Sequence, residues 1–117
     1  MNVAIFGATG GTGRQVVEQA LLAGHTVRVL VRAPGKAALP RIVQIVRGDV
    51  LDAEAVAQTV ESADVVLSSL GAKLIATFTR RGRILATGMT HIVDAMRAHE
   101  VRRLVAVSTY GAGDSWP

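Results

Sequence analysis

Cysteine does not occur in this chain, so disulfide bridges and thiolate chemistry are excluded from the outset. Aromatic residues are nearly absent as well, with Phe6, Phe78, Tyr110 and Trp116 forming the whole supply. A core must therefore come from Ala, Val, Leu and Ile, the bulk of the 50% of residues that are hydrophobic. These branched aliphatics arrive in short blocks, which suits a sheet covered on both faces. No apolar run approaches the ~20 residues that a membrane-crossing helix requires. Nor does a basic stretch precede Val3–Phe6, which argues against a secretory leader. The expectation is a soluble, cytoplasmic chain with no membrane partner.

Lysine is also scarce, two against eleven arginines, and with nine acids the formal net charge is +4. Only Arg80-Arg81-Arg83 and Arg97-Arg102-Arg103 cluster, and neither group is interleaved with aromatics, so a solvated basic surface is favoured over a specific nucleic-acid partner. Histidines number three, and His91 and His99 stand eight apart on one expected helix, which is not the spacing of a shared metal. His25 follows a helix end, so no metal site is expected.

What is present is a regular alternation of apolar blocks and helical patterns. At 117 residues the length suits one domain, spanning 1–117, with no repeat or low-complexity linker inside it. Strand one is expected at Asn2–Phe6. A helix over about 12–23 puts Val16, Val17, Ala20 and Leu21 on one face, and Gly24 ends it. Strand two is Thr26–Arg32, and Pro34, Gly35 and Pro40 make a loop of Ala33 to Arg41. Strand three is Ile42–Val46, a short helix follows over about 53–61, and strand four is Asp64–Ser68. A longer helix over about 83–99 shares one face among Leu85, Met89, Ile92, Val93 and Met96, and strand five is Arg103–Val107. This order predicts an α/β, Rossmann-type doubly wound parallel sheet with strand order 3-2-1-4-5. In such sheets ligands sit beyond the carboxyl ends of the strands, where strands one and four diverge.

The polar segments of this chain fall at those ends. Between strand one and the first helix runs Gly7-Ala8-Thr9-Gly10-Gly11-Thr12-Gly13, a G-x-x-G-x-x-G spacing. A glycine-rich turn opening a helix presents bare backbone N–H groups at a positive dipole end, an arrangement that binds phosphate. Gly7 permits a tight turn, Gly10 lets a pyrophosphate approach the backbone, and Gly13 packs the helix closely. Thr9 and Thr12 add hydroxyls, so a dinucleotide site is expected. An acid after strand two reads the ribose 2′-hydroxyl of NAD, but this chain carries Arg32 there. Its guanidinium suits a 2′-phosphate, so NADP(H) is favoured over NAD(H), with Lys36 as a looser helper. Gly48-Asp49-Val50 follows strand three, where Asp49 either accepts from an adenine amino group or starts the next helix. Ser68-Ser69-Leu70-Gly71 is expected near the nicotinamide ribose, and Ser108 and Thr109, beyond strand five, near a reacting substrate. Tyr110 lacks a lysine four residues on, since Asp114 stands there, which weighs against it as a general acid.

Taken together, VAIFGATGGTGRQVVEQALLAGHTVRVLVR, VRGDVLD, ADVVLSSLG and HIVDAMRAHEVRRLVAVST resemble the atypical short-chain dehydrogenase/reductases, over about residues 2–111. Within that family the resemblance is to the biliverdin-IXβ reductase (flavin reductase) group and its NmrA-like relatives. It implies a Rossmann-type fold that binds NADPH and, in the reductase branch, passes hydride to a flavin or tetrapyrrole. On this chain the implied pyrophosphate residues are Gly7, Thr9, Gly10, Thr12 and Gly13, the implied 2′-phosphate residue is Arg32, and the implied hydroxyl near the nicotinamide is Thr109, with Ser108 beside it. Family members continue beyond strand five, so 1–117 is expected to carry most of a cofactor site and little of a substrate pocket. The alternative function is that of a non-catalytic NADP(H)-sensing regulator, as in the NmrA-like branch.

Overall fold

The structure, a computed structural model, describes residues 1–69 and 80–106. Strands β1 (Asn2–Phe6), β2 (Thr26–Val31), β3 (Gln44–Arg47), β4 (Val65–Ser68) and β5 (Leu104–Ala106) alternate with helices α1 (Gly11–Leu22), α2 (Pro34–Ala37), α3 (Ala53–Val60) and α4 (Arg80–Ala98). The strands form one sheet in the order β3-β2-β1-β4-β5, and every pairing is parallel. This is the doubly wound, Rossmann-type arrangement that the βαβ alternation predicts.

Side-chain alternation along the strands divides the core in two. Val3 and Ile5 of β1, with Val27, Val29 and Val31 of β2, pack beneath Val17 and Ala20 of α1. Ala4, Phe6, Leu30 and Val66 point the other way, against Val56 and Val60 of α3 and Ile92, Ala95 and Met96 of α4. Period two on the strands thus meets period 3.6 on the helices, with one apolar set for each face. Coverage is not uniform, however. Val105 of β5 is 46% exposed and, with Leu67, borders an open cleft of about 600 Å³ beside α1. Among the described residues, then, both faces are covered only over the centre of the sheet.

Several boundaries shift by one residue from the sequence expectation, and three differ by more. The stretch expected as a loop from Ala33 to Arg41 contains α2, because Pro34 stands at the helix start, where its fixed φ is preset and its missing N–H is no loss. Strand β3 begins at Gln44 rather than Ile42: Ile42 is 74% exposed, and the Val43 N–H closes a turn onto the Pro40 carbonyl. Helix α4 begins at Arg80 rather than Arg83. Its buried face is Ile92, Ala95 and Met96, with Met89 packed against them, while Val93 is only half-buried.

Candidate dinucleotide site

After Phe6 the chain leaves the sheet where β1's two neighbours, β2 and β4, carry Leu30 and Ser68 in register. Gly7 there takes φ +83°, a conformation that a side chain resists. The turn carries the chain into α1, whose first turn presses back on it. A Cβ built on Gly13 would lie 1.8 Å from the Gly7 carbonyl oxygen. Close packing by Gly13 is therefore against the turn itself. Gly10 is the N-cap, no side chain among the described residues caps the helix, and no acid stands in its first turn. The leading N–H groups of α1 are left for an anion. Among the described residues a Cβ on Gly10 would find only the Gly7 oxygen, at 3.9 Å, which leaves the outer side of the turn open to them.

Ser69, just past β4, holds this turn from behind. Its hydroxyl donates to the carbonyl oxygens of Gly7 at 3.0 Å and Phe6 at 3.3 Å, while its backbone N–H donates to Phe6 O at 2.9 Å. The residue is 8% exposed, and its side chain is thereby fully engaged.

On the far side stand the ends of β2 and β3. Arg32 follows β2 with its side chain 82% exposed, and its Nη1 lies 4.0 Å from Asp49 Oδ2. Asp49 Oδ1 accepts from the Leu51 N–H at 3.0 Å, an Asx turn that shapes the exit from β3. The next helix is capped by Asp52, which accepts from the N–H groups of Glu54 and Ala55. Of the two readings left open for Asp49, helix capping therefore falls to Asp52. Gly48 is tightly confined, since a Cβ there would lie 2.6 Å from that of Ala55.

These parts border one cleft of about 470 Å³, with the turn residues Gly7–Gly10 on one side, Arg32 and Asp49 on another, and Ile84 and Leu85 of α4 as an apolar wall. It lies beyond the carboxyl ends of the strands at the point where β1's connections diverge, the position where doubly wound sheets bind nucleotides. Uncapped N–H groups, an open glycine turn and an exposed guanidinium together fit a phosphate-bearing dinucleotide.

Comparison with known proteins agrees. A family model described as NAD(P)H-binding matches residues 7–117. The chain belongs to this NAD(P)H-binding family. It is 37% identical over 116 residues to a 3-diazoavenalumate denitrifying reductase from Streptomyces sp, covering 92% of this chain and 38% of that protein. The photosystem II assembly factor Ycf39 from Synechocystis sp. is 31% identical, over 97% of this chain and 35% of its own length. The chain thus spans little more than a third of the length of these relatives. Among solved structures, a Rossmann-fold NAD(P)-binding family protein from Shigella flexneri matches with TM-score 0.70 and 29% identity, covering 88% of this chain and 49% of that one. The resemblance to atypical short-chain dehydrogenase/reductases is thereby upheld.

Within this NAD(P)H-binding fold the structure brings Gly7, Thr9, Gly10, Arg32, Asp49 and Val50 to a single cleft. Thr12 borders the other cleft, beside α1 and β5, and Gly13 is buried beneath the turn. Gly11 opens α1 with nothing within 4 Å of its Cβ position. Lys36 falls in α2, its side chain outside the described part. Leu70, Gly71, Ser108, Thr109 and Tyr110 lie outside the described residues. Ser69, named with the segment expected near the nicotinamide ribose, is placed behind the glycine turn, and the apolar wall from α4 is the addition. Ser69 sits in a polar strand end visible in the sequence, whereas nothing in the helical pattern of Ile84 and Leu85 sets them apart from core.

Proposed function

We propose that residues 1–117 form the NADP(H)-binding domain of a reductase-like protein that passes hydride from NADPH to a flavin, a tetrapyrrole or a similar acceptor. The observation that carries this reading is Arg32: a largely exposed guanidinium stands at the end of β2, on the same cleft as an uncapped glycine turn. A carboxylate in that place would repel a 2′-phosphate, whereas a guanidinium accepts it bidentately. The pyrophosphate is assigned to the backbone of Gly7, Thr9, Gly10, Gly11, Thr12 and Gly13, and the adenosine side to Asp49 and Val50. Leu70 and Gly71 are assigned to the nicotinamide ribose, and Ser108 and Thr109 to the acceptor side. Reduced nicotinamide supplies the hydride when bound, so the protein has chiefly to orient and to exclude water.

The test titrates NADP(H) and NAD(H) into the protein and into Arg32→Ala. Loss of Arg32 is expected to weaken NADP(H) on the order of 10- to 100-fold and to leave NAD(H) nearly unchanged. Equal losses for both cofactors would refute the assignment. A second reading is a cofactor-sensing regulator, favoured by the naming of one 31%-identical relative as an assembly factor. NADPH oxidation with flavin or biliverdin supports the reductase, and tight cofactor binding without turnover on any acceptor supports the sensor.

A further inference from the structure

The wall opposite the glycine turn is held by contacts that its own loop does not supply. Val50 and Leu51 line the cleft beside Asp49, and all three lie between β3 and α3. From inside, the loop is shaped by the Asx turn of Asp49 onto Leu51. From outside, α4 reaches it at two positions one helical turn apart. At Gly88 the helix comes so close that a Cβ would lie 2.8 Å from Val50 Cγ2 and 2.9 Å from Val50 Cβ. At His91 the ring Nδ1 is 2.8 Å from the Val50 carbonyl oxygen. A carbonyl only accepts, so Nδ1 carries the proton and donates. Spacing of three places both residues on one face of α4, and the same helix sends Ile84 and Leu85 into the cleft.

We propose that His91, with the space left by Gly88, is a positioning residue for the adenosine side of the dinucleotide site. Its hydrogen bond sets where Val50 stands, and through the Asx turn where Asp49 stands beside Arg32. His91 touches no ligand in this scheme; it acts through a backbone carbonyl. The proposal rests on the cleft being the dinucleotide site, and it assigns to α4 the alignment of a wall that β3 alone leaves as a short exposed loop.

The experiment measures two quantities in the full chain: affinity for 2′,5′-ADP, and amide hydrogen exchange over 49–52 without ligand. In His91→Ala, affinity is expected to fall about three- to tenfold, the range for one lost hydrogen bond, and exchange over 49–52 to rise. His91→Asn, whose amide N–H reaches much as Nδ1–H does, is expected to restore most of both. Gly88→Ala is expected to weaken the same ligand by pushing Val50, with the hydrogen bond intact. Ala95→Gly, which loosens α4 away from the loop, serves as the stability control and is expected to leave affinity unchanged. Unaltered exchange and affinity in His91→Ala, or an equal loss in Ala95→Gly, would overturn the positioning role while leaving the cleft reading intact. No binding of 2′,5′-ADP or NADP(H) by the unsubstituted protein would overturn the cleft reading, and this proposal with it.

Discussion

Gly7, Gly11 and Gly13 stand within seven residues of one another, yet their surroundings constrain them differently. Gly13 has no room: its Cβ would overlap the Gly7 carbonyl at 1.8 Å, and backbone on both sides leaves nothing flexible to give. Gly7 has an unfavourable backbone angle, φ +83°. Gly11 has neither restriction, with open space around it in the first turn of α1. Alanine substitution should therefore separate them by sign. Gly13→Ala is expected to destabilise by up to ~3 kcal/mol through overpacking and Gly7→Ala by ~1–2 kcal/mol through the left-handed angle. Gly11→Ala is expected to stabilise by ~0.5–1 kcal/mol. Urea unfolding midpoints at constant m-value measure all three. Ser69 belongs with them, because its hydroxyl bonds to the Gly7 and Phe6 carbonyls from a buried position. Ser69→Ala is expected to cost ~1 kcal/mol, the usual net worth of such a bond, and to weaken cofactor binding by loosening the turn.

Among the elements, the helix ends are the best specified. Helix α1 finishes in a Schellman motif: the Gly24 N–H donates to the Leu21 carbonyl and the His25 N–H to that of Ala20, both at 3.0 Å, with Gly24 at φ +86°. Helix α3 starts on Asp52, whose carboxylate accepts two backbone N–H groups. Asp52→Ala is expected to cost about 1 kcal/mol by thermal or urea unfolding, and Asp52→Asn much less. Such local signals explain why the first helix, its stop at Gly24 and the parallel strand order could be read from the chain. Each follows from hydrophobic periodicity or from a residue acting on its neighbours. Elements whose local signals point both ways were not legible in the same way. The late start of β3 reflects a turn onto Pro40, and α2 forms inside a proline-bearing stretch that also reads as a loop. The site divides instead between local pattern and distant contact. Arg32 and the glycine turn stand out by position, whereas Ser69 holds a carbonyl 62 residues away and His91 one 41 residues away, contacts that no local pattern announces.

At the scale of the molecule, the cleft draws on both halves of the sheet. Arg32 and Asp49 come from the β2–β3 side, Ser69 from the β4 side, and the glycine turn from the strand between them, with α4 closing the wall. A ligand that touches all of these is available only to the folded chain, since the contributing residues are brought together by pairings between strands far apart in sequence. Binding should therefore couple to global unfolding rather than stiffen one loop. For a ligand at 100 times its Kd that binds the native state alone, the stabilisation is about 2.7 kcal/mol. At roughly 4 °C per kcal/mol for a chain of this size, NADPH at that excess is expected to raise Tm by about 10 °C in a single cooperative transition. Arg32→Ala should need a correspondingly higher NADPH concentration for the same shift, because on the proposed assignment its side chain meets the ligand without supporting the fold: it is largely exposed and its ion pair with Asp49 is long, at 4.0 Å. Its ligand-free Tm should stay within about 1–2 °C of the unsubstituted protein, as for other exposed positions. Thermal denaturation followed by circular dichroism across an NADPH series checks both statements. A ligand-free Tm that falls sharply in Arg32→Ala would mean that the guanidinium is part of the scaffold.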